Sequence, residues 1–317
     1  MNDVAHLVVS SSIDYSTDLV CCEFERRGLS YLRINRDCFS EYRILHDLQT
    51  DTLTIGMGDD TFLVTPDSLR SVYFRAPTFL RNMGKSYSLQ EQLYRSQWGS
   101  FIRNLIHFEC ARWVNHPVAT YGAENKVFQL SVARRCGVAV PNTHVGNILP
   151  HSIEQRGAYV VKSLDTALFY DRGQEMFTYS TMVNGEELLN AELKAAPVII
   201  QEYLQNKTDI RVTIVGDILF PVAITDNGCP IDGDWRKTPR ENLRYRPIEL
   251  PATVRTAIKR IMHILGLRFG GMDLALVDGV HYFIEVNPTG EWGWLISSAR
   301  LPIDKAIVDF LSAESPL

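Results

Sequence analysis

The stretch Gly270-Gly271-Met272-Asp273-Leu274-Ala275-Leu276-Val277-Asp278-Gly279-Val280-His281-Tyr282-Phe283-Ile284-Glu285-Val286-Asn287-Pro288-Thr289-Gly290 decides the fold. Two strand-forming runs flank Asp278-Gly279, a strong short-range hairpin signal. Two registers compete. A two-residue loop pairs Val277 with Val280 and sets Asp273 opposite Ile284, mixing acids with core residues on both faces. A three-residue loop, with Gly279 left-handed, pairs Val277 with His281. It gathers Met272, Leu274, Leu276, Tyr282, Ile284 and Val286 on one face, and Asp273, Ala275, His281, Phe283, Glu285 and Asn287 on the other. A slip of one residue reverses every side chain, so the segregated pattern favours the three-residue loop.

That register brings Asp273, Glu285 and Asn287 together over a buried apolar sheet. Three oxygen donors on one side suit a hard cation such as Mg²⁺, which takes one or two carboxylates and leaves the remaining positions to water and phosphate. Any one of these carboxylates alone would be an ordinary wet residue. The set D-(x)11-E-x-N-P is the stronger signal.

Working outward, the 317 residues suffice for two or three packed units. A net charge of −5 gives no electrostatic case for nucleic acid or an anionic membrane. The six cysteines show no C-x-x-C pair and no zinc spacing, as expected of free thiols in a reducing compartment. Met1-Asn2-Asp3 lacks the start of a signal peptide and no run approaches membrane length. A cytoplasmic protein is expected.

Upstream, His6–Ser10, a helix over Asp14–Arg27 and Tyr31–Ile34 form a strand–helix–strand opening, the signature of a parallel α/β unit. Thr52–Ile55 and Thr61–Val64 read as a hairpin. Val72 to Pro77 reads as a strand and Tyr87–Trp113 as a long helix. Residues 1–115 are expected to form one domain. A helix over Ala123–Cys136 follows, ended by Gly137, then strand Ala158–Lys162, helix Glu186–Lys194 and strand Pro197–Leu204. Asp209–Val215 and Ile218–Ile224 pair about Gly216-Asp217. Residues 225–246 read as irregular, followed by helix Ala252–Leu265 and, at the end, helix Pro302–Leu311. Gly84-Lys85-Ser86 is no phosphate loop, because Phe79 stands where the earlier glycine is required.

Several side chains suggest an anion site. Lys126 lies near the start of its helix, and Lys162 ends a Tyr-Val-Val strand where burial is costly without an anion. Gln201, Glu202, Tyr203 and Leu204 form a strand end whose backbone can meet a purine edge. Arg211, on the polar face of its strand with Asp209, and Arg236, after Trp235, can clamp phosphate or carboxylate bidentately. Arg236 paired structurally with Asp234 is the alternative.

The order lysine, lysine, Q-E-Y-L, D-x-R, W-R, D-(x)11-E-x-N-P resembles the ATP-grasp superfamily of carboxylate–amine ligases. The resemblance implies an α/β chain of α+β subdomains: an N-terminal parallel α/β domain (1–115), a central ATP-grasp subdomain (116–195) and a C-terminal one with the metal site (196–317). It implies ATP between the two subdomains. Lys126 and Lys162 would lie on its phosphates, Gln201 to Leu204 at adenine and Asp209 near the ribose. Asp273, Glu285 and Asn287 would hold Mg²⁺, two ions in number. Such enzymes form an acyl phosphate, release ADP and let a nucleophile displace phosphate.

A narrower resemblance covers almost the whole chain. Tyr73-Phe74-Arg75-Ala76-Pro77 is similar, in part, to a Tyr-Arg-Arg-Pro motif of the microviridin (graspetide) macrocyclases. Asn125 to Leu130, Gly137, Pro141-Asn142-Thr143, Asp234-Trp235-Arg236-Lys237, Asn287 to Trp294 and Leu301-Pro302-Ile303 also look like that family, which usually has glutamine where Glu291 stands. The resemblance implies a ribosomal precursor peptide as partner, with a leader and an acidic, Ser/Thr/Lys-containing core, and a homodimer. Arg211 and Arg236 are then expected to hold the acyl phosphate and the core carboxylate. The segment between Lys162 and Pro197, including Tyr179 and Glu186, would dock the leader and cover ATP. A ligase adding glutamate to a protein tail or small acid would use the same ATP residues. A nucleotide-binding regulator without catalysis would not need them all.

Overall fold

The computed structural model describes residues 2–75, 87–164, 168–171, 174–177 and 180–314. Tyr179, the Ala76-Pro77 end of the Tyr73 motif and Gly84-Lys85-Ser86 lie outside the described residues.

A parallel sheet opens the chain, in the spatial order Leu32–Asn35, His6–Ser10, Ser71–Phe74, Arg112–Val114. Strand His6–Ser10 is buried along its whole length, as a parallel strand covered on both faces must be. Helix Tyr15–Arg26 follows it, capped by Asp14, which accepts from Thr17 N at 3.0 Å. An antiparallel set, Tyr42–Asp47, Thr52–Met57 and Asp60–Val64, comes next; its first strand had no counterpart in the expected elements.

The long helix expected over Tyr87–Trp113 is shorter, Leu89–Asn104 plus a single 3₁₀ turn at Leu105–His107. Arg112–Val114 instead pairs with Ser71–Tyr73. Local periodicity could not reveal this, because the pairing partner lies some forty residues upstream. Likewise the helix expected over Ala123–Cys136 divides into Pro117–Ala123 and Lys126–Arg135. Asn125 caps the second, accepting from Phe128 N at 2.9 Å.

Two larger antiparallel sheets follow, besides a two-stranded antiparallel pair of Leu168–Asp171 with Gln174–Phe177. The first has the order Thr181–Asn184, Ala158–Lys162, Val198–Glu202, Thr143–Gly146. The second has the order Leu243–Pro247, Ile218–Asp226, Thr208–Val215, Phe269–Val277, Val280–Asn287. Residues 225–246, expected to be irregular, thus contribute a strand and a 3₁₀ turn at Trp235–Lys237. One face of the second sheet is sealed by helix Ala252–Ile264 over Ile210, Val212, Ile214, Met272, Leu274 and Phe283. The closing helix Ile303–Ser312 returns to helix Tyr15–Arg26. There Val8, Phe24 and Tyr73 share a core with Phe269, Trp292 and Ile307. Among the described residues no helix is long and apolar enough to cross a membrane.

The deciding hairpin differs from expectation at its turn. Asp278 and Gly279 both have positive φ, 48° and 81°, the requirement of a two-residue type I′ loop, and Val277 pairs with Val280. The extra residue sits further on, as a bulge at Ile284, so that Leu274 pairs with Phe283 while Asp273 pairs with Glu285. The acids therefore meet as expected, by a different route. Phe283 goes into the core, fully buried, and Ile284 faces the cavity in its place. Tyr282 now stands beside Ala275 and His281 beside Leu276, reversing the faces expected for both.

Candidate active site

A cavity of about 950 Å³ opens between the two antiparallel sheets, and Lys126, Lys162, Gln201, Glu202, Tyr203, Leu204, Asp209, Arg211, Arg236, Asp273, Glu285 and Asn287 all line it. Its floor is a grid set by strand register. Arg211 lies opposite Asp273 and Asp273 opposite Glu285, forming one row across three strands. One step along, Thr213, Gly271 and Asn287 form the next row, and one step back Asp209, Ala275 and Tyr282 form a third. Opposed side chains in a sheet lie about 5 Å apart at Cβ. Residues remote in sequence therefore share one charged patch.

Within the patch, Arg211 Nη1 donates to Asp273 Oδ1 at 2.8 Å and Nη2 to the Glu291 carbonyl at 3.4 Å. Arg211 is buried, and among the described residues its Nε has no partner. Burial raises the Asp273 carboxyl above its ordinary range; Glu285 pushes the same way and Arg211 opposes it. Asp209 is pushed up to about 6 by burial, although Lys207 Nζ lies 2.5 Å from its Oδ2.

From the facing sheet, Lys162 Nζ donates to Gln201 Oε1 at 2.8 Å, and Gln201 Nε2 donates to Thr143 Oγ1 at 2.9 Å. Burial lowers the Lys162 ammonium below its ordinary value. Lys126 and Arg236 add to that, while Glu285 and Asp273 work against it. A lysine so placed gains from a polyanion that restores its charge. Lys126, first in its helix, donates from Nζ to the Ser163 carbonyl at 3.2 Å. The N–H groups of Glu202 and Tyr203 are already bonded within the sheet, to Asn142 O and Ala158 O. A purine edge would therefore meet the carbonyls and the Leu204 end of this segment.

Arg236 sits on the 3₁₀ turn and forms a fork with Asp234, Nε to Oδ1 at 2.9 Å and Nη2 to Oδ2 at 2.7 Å. The structural pairing and the cavity position are both present. The Asp234 bonds hold its charge firmly, and Glu285 and Asp273 are near enough to contribute. Tyr203 anchors the same loop: its hydroxyl bonds to Asp232 and accepts from Gly233 N at 2.9 Å.

Sequence reasoning left out Lys207, Trp235 as part of the wall, and Trp294, which packs on Trp235 and Tyr245 with ring centroids 5.8 and 4.8 Å away. Lys207 stands two positions before Asp209, just after the turn at Gln205-Asn206; its ion pair with Asp209 and a side chain only 12% exposed distinguish it from a solvated lysine. Of the docking segment, Glu186 lies in the short helix Gly185–Leu189, exposed.

The donor set fits a hard divalent cation. Among the described residues no three His, Cys, Asp or Glu side chains are placed to hold a metal unaided. Two opposed carboxylates and an amide oxygen, with lysines close by, match a Mg²⁺ whose shell is completed by phosphate oxygens.

No protein-family model and no curated protein matches the chain. Solved structures do. The macrocyclase MdnC of Microcystis aeruginosa MRC, bound with precursor peptide MdnA, is 25% identical with a TM-score of 0.82, covering 97% of this chain and 99% of its own. A RiPP-associated ATP-grasp ligase of Chryseobacterium gregarium, in complex with ADP and a leader and core peptide, is 21% identical with a TM-score of 0.84, covering 100% and 98%. The ATP-grasp ligase PsnB, complexed with a phosphomimetic precursor variant, Mg and ADP, is 20% identical with a TM-score of 0.74, covering 98% of each chain. Over almost its full length the chain has the ATP-grasp fold, in the architecture seen in these ligases and peptide macrocyclases.

Proposed function

We propose that the protein phosphorylates Asp or Glu side chains of a ribosomal precursor peptide with ATP, then closes ester or amide macrocycles through Ser, Thr or Lys side chains, releasing ADP and phosphate. The observation that carries this is the row Arg211–Asp273–Glu285 facing Lys126 and Lys162 across one cavity. Carboxylates and basic side chains thereby share one place, which supports reading them as cation and phosphate ligands.

Lys126 and Lys162 would hold the nucleotide phosphates, with adenine against Gln201 to Leu204 and ribose near Asp209. Asp273, Glu285 and Asn287 would hold Mg²⁺, two ions in all, whose chemistry is to neutralise charge on the transferred phosphoryl group. Arg211 and Arg236 would orient the peptide carboxylate, whose oxygen attacks the γ-phosphorus as the bond to ADP breaks. The same guanidinium groups then stabilise the oxyanion that forms when a hydroxyl or amine adds to the acyl carbon. Phosphate leaves, and the proton of the nucleophile departs with it or to water. Positioning supplies most of the acceleration. A homodimer in the cytoplasm completes the reading.

Intact mass of short peptides encoded near the gene, incubated with the protein, ATP and Mg²⁺, tests it. Loss of one water per ring, with matching ADP, supports a macrocyclase. A mass gain that requires a free amino acid would instead identify a tail-type ligase.

A further inference from the structure

The strand that carries Glu285 and Asn287 is the outer edge of its sheet; among the described residues no further strand runs along its outward N–H and C=O groups, and a single backbone bridge meets it at Ala139, whose carbonyl accepts from Phe283 N at 2.8 Å. Buried side-chain amides occupy that edge. Gln129 Nε2 donates to the Val286 carbonyl at 2.8 Å, and Val286 N donates to Gln129 Oε1 at 2.8 Å. One side-chain amide thus forms the bond pair that a neighbouring strand would form. A few residues on, Asn115 Nδ2 donates to the Pro288 carbonyl at 2.9 Å and to Phe269 O at 2.8 Å. Its Oδ1 accepts from Arg268 N and Phe269 N at 2.7 and 2.8 Å. Gln129 and Asn115 are 3% and 1% exposed, so neither bond set competes with bulk water.

Val286 stands between Glu285 and Asn287. Gln129 lies three positions after Lys126 in helix Lys126–Arg135, and a third bond, to the Ala123 carbonyl, ties its amide to the preceding helix. We infer that Gln129 is a positioning residue: it fixes the backbone between the two strand-borne oxygen ligands and couples their placement to the helix that presents Lys126. Hydrogen bonds from residues behind the ligands set how well a site holds a cation, and losing one typically costs about tenfold or more in affinity. The inference depends on the Mg²⁺ assignment proposed above.

The test is Mn²⁺ binding followed by electron paramagnetic resonance, on wild type and Gln129→Met, with ADP present. ADP affinity in EDTA is measured in parallel, and Ser71→Ala, in the first sheet, serves as a control for general destabilisation. The expected result is a loss of about tenfold in Mn²⁺ affinity for Gln129→Met, with metal-free ADP affinity within twofold and Ser71→Ala unchanged in both. Undiminished Mn²⁺ affinity in Gln129→Met overturns the inference, as does an equal loss in Ser71→Ala. If Gln129→Met does not fold, Gln129→Asn, one methylene shorter, takes the same comparison with the same criteria. Wild type that binds no Mn²⁺ with ADP would overturn the metal assignment itself, a separate result.

Discussion

A Cβ at Gly271 would stand 2.5 Å from Arg211 Nη2, and one at Gly290 would stand 2.8 Å from the same atom. The guanidinium lies flat in a slot that only glycines leave open, its other nitrogen on Asp273. Gly271→Ala must therefore move Arg211 off Asp273, although Gly271 itself has an ordinary backbone. We expect turnover to fall by about a hundredfold, the scale of losing one well-placed donor to a developing oxyanion. KM for ATP should change little and stability should drop by only about 1–2 kcal/mol. Steady-state ADP release and thermal melting check this; unchanged turnover in a folded variant would remove Arg211 from the catalytic list.

Glu285→Gln and Asp273→Asn should separate two roles that share one row. Glu285 faces Asp273 across the hairpin, so on the proposed Mg²⁺ assignment its amide variant should weaken cation binding and be partly rescued by raised Mg²⁺. Asp273→Asn also removes the charge that Arg211 is bonded to. It should lose activity by at least a hundredfold without rescue, because a buried guanidinium is left without its partner. Mg²⁺ titrations of ADP release on both variants decide it. Equal rescue of the two would mean that Arg211 does not depend on Asp273.

Much of this site was legible because its chemistry lies in side-chain types at strand spacing. Asp273, Glu285 and Asn287 could be brought together on one face from alternation alone. The register itself could not be read correctly. A bulge at Ile284 and an extra residue in the turn give the same Asp273–Glu285 pairing, and local polarity does not distinguish them. What decides is the deep core, where Phe283 is needed against Leu274 and Met272. Gln129 was invisible for a different reason. A glutamine inside an amphipathic helix reads as surface until the edge strand it completes is known.

Acidity should destabilise the fold through His6. The residue is 4% exposed, with Nδ1 2.8 Å from Ser71 Oγ and the Phe24 ring tilted against it at 5.1 Å. Burial, with Arg70 adding to it, lowers the pKa from 6.5 to about 4. Between those values the unfolded chain binds a proton that the folded chain refuses, so stability rises with pH across that window. The full effect is present above pH 6.5 and lost as pH falls towards 4, on the order of 3 kcal/mol. Chemical denaturation at pH 4.5 and 7, on wild type and His6→Gln, measures it. An equal pH dependence in the two would assign acid lability to other groups.

Arg75 ties the opening sheet to the loop that follows Asn287. It bonds to Asp14 at 3.0 Å and Glu291 at 2.5 Å, and it donates to the carbonyls of Thr289 and Gly290 at 3.2 and 3.3 Å. Although burial alone would raise it, Asp14 is held below the usual carboxylate range by Arg75 and its other hydrogen bonds. Removing the guanidinium leaves Asp14, with a side chain only 12% exposed, as a poorly solvated charge. Arg75→Met should cost about 3–5 kcal/mol, the scale for breaking a buried pair from one side. Arg75→Lys restores charge but not the planar fork that reaches two carboxylates and two carbonyls, so it should recover less than half of the loss. Pairing Arg75→Met with Asp14→Asn should regain stability, since the stranded charge is gone. Denaturant midpoints for the three variants provide the measurement, and a double variant no more stable than Arg75→Met would show that the Asp14 charge is not what makes the loss costly.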